Sequence, residues 1–253
     1  MVLLHGLFGS ASNLRAQARA LASQHTLYSI DLPNHGRSGW LSTPDLPTMA
    51  DSVLAWMNDE GLDTASVLGH SLGGKVAMEV ALLAPTRVAS LVVADIAPVA
   101  YPPHHDRVFE ALRAVSEARC ESRDAAARIL DHYLGDKGVA QFLLMSLERR
   151  DGLMDWRFDR VGLARAYPAL VAAPAGGRVY AGPTLFIKGG ESDYIHESQR
   201  PQMLALFPRT ELRVVQGAGH WLHAQKPAQF NALVQRFLDD ASRPGAWNAV
   251  TGG

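Results

Sequence analysis

The chain has 253 residues, of which 47% are hydrophobic and 19% are charged, a composition that supports one globular domain with a sizeable core. The formal net charge is −1 and no run of Lys or Arg stands out, which argues against a nucleic acid or an anionic membrane as partner. No apolar run approaches the roughly 20 residues of a membrane-spanning helix. The single cysteine, Cys120, excludes a disulfide within the chain and favours a cytoplasmic setting.

Short apolar strands alternate with amphipathic helices in two regions, a pattern typical of an α/β fold with a parallel sheet. In the first region the predicted elements are the strand 2–5, the helix 12–23, the strand "HTLYSID", the helix 48–60, the strand "ASVLGH", the helix 72–83 and the strand "SLVVAD". In the second region they are the strand "TLFIKGG", the helix "SQRPQMLALF", the strand "ELRVVQG" and a helix over 227–240.

Between these regions the pattern changes, and helices alone are predicted, among them "DRVFEALRAVSEA" and "VAQFLLMSLERR". The simplest division has a core formed by residues 1–97 and 183–240, interrupted by a helical cap over 98–182. Residues 241–253 carry no periodic pattern and are predicted to be a flexible tail.

The segment "VLGHSLGGKVAMEV" contains a G-x-S-x-G motif centred on Ser71, between a predicted strand and a predicted helix. A sharp strand-to-helix turn crowds the neighbours of its central residue, so Gly69 and Gly73 are expected there because they are small. The turn would lift the Ser71 hydroxyl above the sheet at a helix N-terminus, where negative charge is favoured. Ser71 is therefore the predicted nucleophile, and an incidental serine in a glycine-flanked turn is the alternative.

A serine hydroxyl needs a base near pH 7, and "QGAGHWLHAQKP" supplies two histidines after the last predicted strand. His220 follows three small residues that let its ring reach the sheet edge, so it is the predicted base. His223 lies at the start of the final helix, where a structural role is expected. The predicted oxyanion donors are the backbone N–H groups of Leu72 and of Leu7.

The stretches "HGLFGS", "DLPNHGRS", "GHSLGGK" and "AGHWLHAQKP" resemble the α/β-hydrolase superfamily along nearly the whole chain. More narrowly, "DIAPVAY", "FLLMSL", "WRF" and "AGHW" resemble the esterase YbfF group and its mitochondrial relatives. The resemblance implies a mostly parallel sheet flanked by helices with a helical cap, carboxylic-ester hydrolysis with some acyl-thioester activity, and no cofactor. Members of the family begin with two further strands that are missing here, so "HTLYSID" is expected at an exposed sheet edge.

Two strands end in a carboxylate that could orient the base. "GGESDYI" matches the acid pattern of the wider superfamily at Asp193, whereas the YbfF-like pattern uses the aspartate of "DIAP", which is Asp95. Either strand end can bring a carboxylate to the histidine, because neighbouring parallel strands lie about 4.8 Å apart. The narrower resemblance favours Asp95, with Asp193 as the alternative acid.

The predicted function is a serine hydrolase that cleaves small-molecule carboxylic esters, or thioesters, through an acyl-enzyme. The alternatives are a cofactor-free carbon–carbon hydrolase or lyase with the same triad, and a hydrolase-fold binding protein with negligible turnover. A monomer or small homo-oligomer is expected. The adjacent pair His104 and His105 is interpreted as a polar hinge rather than a metal site, because neighbouring side chains point apart. The predicted substrate-binding residues are Phe8, His70, Phe142, Trp156 and Trp221.

Overall fold

The structure is a computed structural model that describes residues 1–175 and 178–243. Its eight strands within these residues are β1 (Val2–Leu4), β2 (Tyr28–Ile30), β3 (Ala65–His70), β4 (Val88–Ala94), β5 (Leu147–Arg150), β6 (Leu153–Trp156), β7 (Thr184–Gly189) and β8 (Thr210–Val215). Six of them form one sheet in the order β2-β1-β3-β4-β7-β8, and every neighbouring pair is parallel. The expected parallel α/β sheet is therefore present.

Ten α-helices connect and cover the strands in the described part of the chain. They are α1 (Arg15–Leu21), α2 (Leu46–Asp59), α3 (Leu72–Leu83), α4 (Asp106–Glu117), α5 (Arg123–Tyr133), α6 (Lys137–Met145), α7 (Arg160–Leu170), α8 (Arg200–Leu206), α9 (Leu222–Gln225) and α10 (Pro227–Ala241). Helices α2 and α3 pack on one face of the sheet, and α1 and α10 pack on the other.

The central strands are apolar on both faces because helices cover both. In β4, Leu91 and Val93 face the cluster that contains α2 and α3, while Val92 and Ala94 face the cluster that contains α1 and α10. This alternation has the period of two that a strand imposes on its side chains. It explains why "SLVVAD" reads as a continuous apolar run.

Strand β2 forms one edge of the sheet, as expected from the sequence, and β8 forms the other. The three residues of β2 are half-buried, in contrast to the fully buried residues of β1 beside it. That two further strands of the family are missing before β1 stays a prediction.

The predicted cap, residues 98–182, joins β4 to β7 and is referred to below as the cap segment. It contains α4, α5, α6 and α7, but the prediction of helices alone was wrong, because β5 and β6 form an antiparallel hairpin. Asp151 and Gly152 connect these strands with φ angles of 49° and 83°. Two positive φ angles are the signature of the tight hairpin turn that an Asp-Gly pair favours.

The cap segment is also bonded to a core loop far from its two chain connections. The N–H of Gly36 donates to the carbonyl of Arg157 over 2.6 Å, and the N–H of Asp159 donates to the carbonyl of Asn34 over 2.8 Å. The Asn34 side chain adds a bond to the Asp159 carboxylate. These backbone bonds hold the residues after the hairpin against the loop that follows β2.

Helix α10 continues to Ala241, and most of the predicted flexible tail, residues 244–253, lies outside the described residues. Among the residues that the structure describes, no helix combines the length and apolar character needed to cross a membrane.

Candidate active site

Ser71 lies between the end of β3 and the start of α3, with φ 54° and ψ −120°. A positive φ is costly for a residue with a side chain, and such strain is concentrated at functional sites. Its N–H donates to the carbonyl of Ala94 on the next strand over 3.0 Å, which anchors the turn to the sheet. The side chain therefore projects at the N-terminus of a twelve-residue helix.

The two glycines of the motif are required by close backbone contacts. A Cβ atom on Gly69 would lie 2.0 Å from the carbonyl oxygen of Gly73, and one on Gly73 would lie 2.3 Å from that of Leu4. Both distances are far below van der Waals contact. The physical reason for expecting small residues two positions before and after Ser71 therefore holds in the structure.

Ser71, His220 and Asp95 meet at the carboxyl ends of the strands. His220 Nε2 lies 3.0 Å from Ser71 Oγ, and His220 Nδ1 lies 2.8 Å from Asp95 Oδ2. The carboxylate accepts the hydrogen of Nδ1, so the unprotonated Nε2 faces the serine hydroxyl. This tautomer can take a proton from Ser71.

Asp95 is fully buried, and three donors converge on its two oxygens. The N–H of Gly189, at the end of β7, donates to Oδ1 over 2.8 Å. The hydroxyl of Ser192 donates to Oδ2, which also accepts from His220. Three hydrogen bonds from separate parts of the chain hold this buried side chain in one orientation.

The alternative acid, Asp193, has a different environment. Its side chain is exposed, and in the part of the chain that the structure describes the bond to His220 Nδ1 comes from Asp95. The neighbours of Asp193 face the site instead. Ser192 binds Asp95, and the ring of Tyr194 stacks on the His220 ring with centroids 4.1 Å apart.

Tyr194 is itself held in place by two residues at the start of the cap segment, Tyr101 and His104. Its hydroxyl lies 2.9 Å from Nε2 of His104, and its carbonyl accepts a bond of 2.6 Å from the Tyr101 hydroxyl. Tyr101 also accepts from the N–H of Ala97. The stack on His220 is therefore connected to the first residues after β4.

His70 contacts both His220, the predicted base, and His223. Nε2 of His70 lies 2.8 Å from the carbonyl oxygen of His220, so it carries the hydrogen and donates it. Burial lowers the pKa of His70 well below its ordinary value, and it lowers the pKa of His223 to about 3. Both rings are therefore neutral near pH 7. The predicted structural role of His223 agrees with its burial and its contact with His70, at a centroid distance of 4.3 Å.

The loop after β1 supplies the second predicted oxyanion donor. The N–H of Phe8, whose φ is 63°, donates to Nε2 of His35 over 3.1 Å. The N–H of its neighbour Leu7 has no protein partner among the described residues. A Cβ atom on Gly6 would lie 3.3 Å from Cβ of Ser71, so this loop passes close to the predicted nucleophile. The loop is fastened to the cap segment by the Ser146 hydroxyl, which donates to the Phe8 carbonyl over 2.6 Å.

A cavity of about 360 Å³ opens above Ser71 and lies between the strand ends and the cap segment. Its size is within the range of small-molecule sites. Four of the five predicted substrate-binding residues line it, and they are Phe8, His70, Phe142 and Trp221. Leu7 and Leu72 line it as well.

Trp156 is not brought to this cavity. It is 4% exposed, stacks on Phe158 and donates from Nε1 to the carbonyl of Leu112 over 3.1 Å. These contacts place it in the interior of the cap segment, between β6 and α4. Side chains alternate between the two faces of β6, and Trp156 lies on the buried face together with Met154.

One wall of the cavity is polar. The ring of His105 is bonded through Nδ1 to the hydroxyl of Tyr167, and Nδ1 of His104 donates to the carbonyl of Pro102. Burial lowers the pKa of His105 to about 4, so its ring is neutral at pH 7. Each histidine of the pair therefore has a tyrosine partner, in keeping with its interpretation as a polar hinge. No group of three or more metal-binding side chains occurs within residues 1–175 and 178–243.

Comparison with known proteins adds to this geometry. Residues 1–233 match the family model described as "Alpha/beta hydrolase family". The chain belongs to the alpha/beta hydrolase family. It is 41% identical to "Esterase YbfF" of Escherichia coli (strain K12) over 95% of this chain and 93% of that protein. It is 34% identical to "sn-1-specific diacylglycerol lipase ABHD11" of Mus musculus, over 94% of this chain and 80% of that protein.

A solved structure described as "Marine microorganism esterase" superposes on this alpha/beta hydrolase with a TM-score of 0.90. The two are 32% identical, and the match covers 93% of this chain and 94% of the other. Together these findings confirm the predicted fold class and the resemblance to the YbfF group, and they identify the chain as a hydrolase enzyme.

Three residues near the site were missed in the sequence. Ser192 and Tyr194 flank Asp193 in "GGESDYI", a stretch that was considered only for its carboxylate. Lys75 follows the motif in "GHSLGGK" and lines the cavity. Lys75 lies one helical turn after Ser71, among the apolar residues of α3. A charged side chain in such a context is a signal that could have identified it.

Proposed function

We propose that the chain hydrolyses carboxylic esters through an acyl-enzyme formed on Ser71. The observation that carries this proposal is the hydrogen-bonded line from Ser71 Oγ through His220 to the buried Asp95, at 3.0 and 2.8 Å, beneath a cavity. The names of the relatives, an esterase and a diacylglycerol lipase, support ester substrates.

In the first step Ser71 Oγ attacks the ester carbonyl carbon while His220 Nε2 takes its proton. The negative charge on the carbonyl oxygen is stabilised by the N–H groups of Leu72 and Leu7. His220 then gives the proton to the leaving alcohol, and the acyl group stays on Ser71. A water molecule, deprotonated by His220, attacks the acyl-enzyme, and the acid leaves as the proton returns to Ser71.

Asp95 orients the ring of His220 and stabilises the imidazolium that forms twice in this cycle. The N–H of Gly189 and the hydroxyl of Ser192 donate hydrogen bonds to its two oxygens and hold it in this orientation. His70 positions the backbone of His220, and Tyr194 supports its ring. We assign these two residues positioning roles, because neither is required to exchange a proton.

The cavity favours an apolar acyl group of small or medium size. Val108, Val139, Phe142 and Leu143 of the cap segment line it together with core residues. The cap segment therefore forms much of the wall that an acyl chain would contact. We propose that residues 98–182 act as a cap that selects substrates by size. Acyl thioesters present the same carbonyl chemistry and are included among the substrates to be tested.

The experiment compares the wild type with Ser71→Ala on p-nitrophenyl esters and an acyl-CoA thioester. We expect the variant to lose turnover by several orders of magnitude with an unchanged unfolding temperature, because it loses a nucleophile and no packing. A fluorophosphonate probe should label Ser71 alone in the wild type. Labelling at another residue, or turnover in the variant near that of the wild type, would contradict the proposal.

A further inference from the structure

Two stretches of chain, one at each end of the cap segment, join its helices to the core, and they meet at one side chain. The incoming connection, residues 95–105, lies between β4 and α4. The outgoing connection lies between α7 and β7, and the structure describes its residues 171–175 and 178–183. Lys75 of α3 is 2% exposed and lies between them. Its Nζ donates to the carbonyl of Val99 over 2.7 Å and to those of Val171 and Ala172 over 3.4 and 2.5 Å.

An ammonium group has three hydrogens, and here three backbone carbonyls from two separate connections surround it. The connections also bond each other, since the N–H of Tyr101 donates to the carbonyl of Val171 over 2.9 Å. The Tyr101 ring lies 4.9 Å from Lys75 Nζ, within the range of a cation–π contact. Burial lowers the pKa of Lys75 to about 7, whereas these acceptors favour its charged form.

A second buried group of the same helix, one turn further along, binds the outgoing connection. Glu79 is fully buried, and its Oε2 accepts from the N–H of Ala175 over 2.7 Å. Residues four apart lie on the same face of a helix, so Lys75 and Glu79 present a donor and an acceptor to the same stretch of chain. Glu79 Oε1 has no partner among the described residues.

The helix that carries these two groups begins immediately after the nucleophile. The N–H of Lys75 donates to the carbonyl of Ser71 over 3.1 Å. The position of the cap segment is therefore set relative to Ser71 through a single helical turn. A lysine in this place does more than fill the interior, because a buried apolar side chain would leave the carbonyls of Val99 and Ala172 without this donor.

We propose that Lys75, assisted by Glu79, is a positioning residue that fastens both connections of the cap segment to α3 and thereby fixes the cavity over Ser71. The part of this inference that concerns substrates rests on the ester hydrolysis proposed above. A short acyl group contacts the core residues around Ser71, whereas a longer one also reaches residues that α4 and α6 contribute. Loss of the Lys75 bonds should therefore weaken the binding of long acyl chains most.

The test uses Lys75→Met, which keeps the length and the apolar stem of the side chain but has no donor. We expect the ratio of kcat/KM for a p-nitrophenyl decanoate over that for an acetate to fall by about tenfold or more. That is the factor expected from losing a hydrogen bond to a charged donor. The fall should appear in KM for the decanoate more than in kcat, because the groups bonded to His220 and Ser71 are not removed.

Arg123→Met is the matched control. Arg123 also donates to two backbone carbonyls, those of Leu144 and Leu147, but both lie inside the cap segment, away from its two connections to the core. The control should leave the ratio within about twofold of the wild type, as is usual for an exposed side chain. An unchanged ratio in folded Lys75→Met would overturn the inference, and so would an equal change in both variants.

Two further measurements keep the test decisive. If Lys75→Met does not fold, Glu79→Leu replaces it, since this change removes a buried carboxyl oxygen that lacks a partner. It should shift the ratio in the same direction, and an unchanged ratio would count against the proposal.

Hydrogen exchange at the amides of Tyr101 and Ala175 should be faster by about tenfold in Lys75→Met. This readout needs no turnover, so it tests the fastening of the connections even if the Ser71→Ala comparison contradicts ester hydrolysis. Unchanged exchange would refute the fastening.

Discussion

Replacement of Asp95 by Asn tests the role of the acid most directly. The buried carboxylate accepts from the N–H of Gly189 at Oδ1 and from Ser192 and His220 at Oδ2. An amide keeps the shape but has one acceptor oxygen and one NH₂ group. The backbone N–H of Gly189 cannot turn away, so the amide oxygen must take the Oδ1 position and the NH₂ group must face His220.

An NH₂ group at that position favours the His220 tautomer with an unprotonated Nδ1. The hydrogen then lies on Nε2, which faces Ser71 Oγ, and the ring can no longer accept the serine proton. A comparable replacement in a serine protease lowers kcat by about 10⁴, equivalent to about 5.4 kcal/mol of transition-state stabilisation. We expect a loss of this size in kcat for Asp95→Asn, because the charge is lost and the tautomer is inverted at the same time.

Asp193→Asn is the matched control, since it makes the same chemical change at the other strand end. Asp193 is exposed, and exposed substitutions usually change free energies by no more than about 0.5 kcal/mol. Turnover should therefore stay within about twofold of the wild type. The assay is steady-state hydrolysis of a p-nitrophenyl ester, with thermal unfolding of each variant to show that the fold is intact.

The two single variants and the double variant separate three outcomes. If Asp193→Asn alone abolishes turnover while Asp95→Asn does not, the assignment of Asp95 is refuted. If each single variant stays partly active and only the double variant is inactive, the two carboxylates substitute for each other. The structure supports the remaining outcome, in which Asp95→Asn alone accounts for the whole loss.

Three other predictions follow from contacts described above. Ser192→Ala removes one donor from the acid and should lower kcat by about tenfold while its remaining donors keep the enzyme folded, which kinetics and circular dichroism can check. Gly73→Ala places a Cβ atom 2.3 Å from a β1 carbonyl and should prevent soluble expression, whereas Gly39→Ala, with open space around it, should express normally; equal expression would contradict this reasoning. Burial lowers the pKa of His35 and of His223 to about 3, so the unfolded chain binds more protons below its ordinary histidine pKa of about 6.5. The free energy of unfolding therefore has its full value above pH 6.5 and falls on acidification. The two histidines together should contribute a slope of about 2.7 kcal/mol per pH unit, which urea titrations between pH 6 and 4.5 can measure. A pH-independent urea midpoint over this range would exclude it.

Local patterns in the sequence were sufficient to select Ser71 and His220 as the predicted nucleophile and base, two side chains that the structure brings within 3.0 Å of each other. Ser71 and His220 are found because the turn before α3 requires small residues and because a flexible Gly-Ala-Gly stretch precedes the histidine. The strands of the parallel sheet were predicted because helices cover both faces of the sheet, which makes its central strands continuous apolar runs. These features depend on residues close together in the chain.

The choice between the two acids could not be made from local pattern. Asp95 and Asp193 both follow a strand, and their distinction depends on the path of the loop after β7. That loop turns so that Ser192 and Tyr194 face the site and Asp193 faces solvent. The place of Trp156 likewise depends on how the hairpin packs on α4, a contact between residues more than forty positions apart.

The hairpin itself was available in the sequence. Asp151-Gly152 is a strong signal for a tight turn, but the leucine-rich stretch before it reads as a continuing helix. The helix ends at Met145 because Leu147 begins a strand that pairs with Trp156. Pairing with a second strand overrode the helical preference of the local residues.

The backbone bonds between the loop after β2 and the residues after the hairpin have a consequence for protein engineering. Arg157 and Asp159 are bonded to Gly36 and Asn34, so the boundary of the cap in space includes a loop that is more than sixty residues away from it in the chain. In a chimera that exchanges residues 98–182 alone with a relative, the Asn34 side chain would lose its acceptor on the cap segment wherever the new segment has no carboxylate at the position of Asp159. An exchange of the inserted segment should therefore include residues 34–36, so that both sides of this contact come from the same protein.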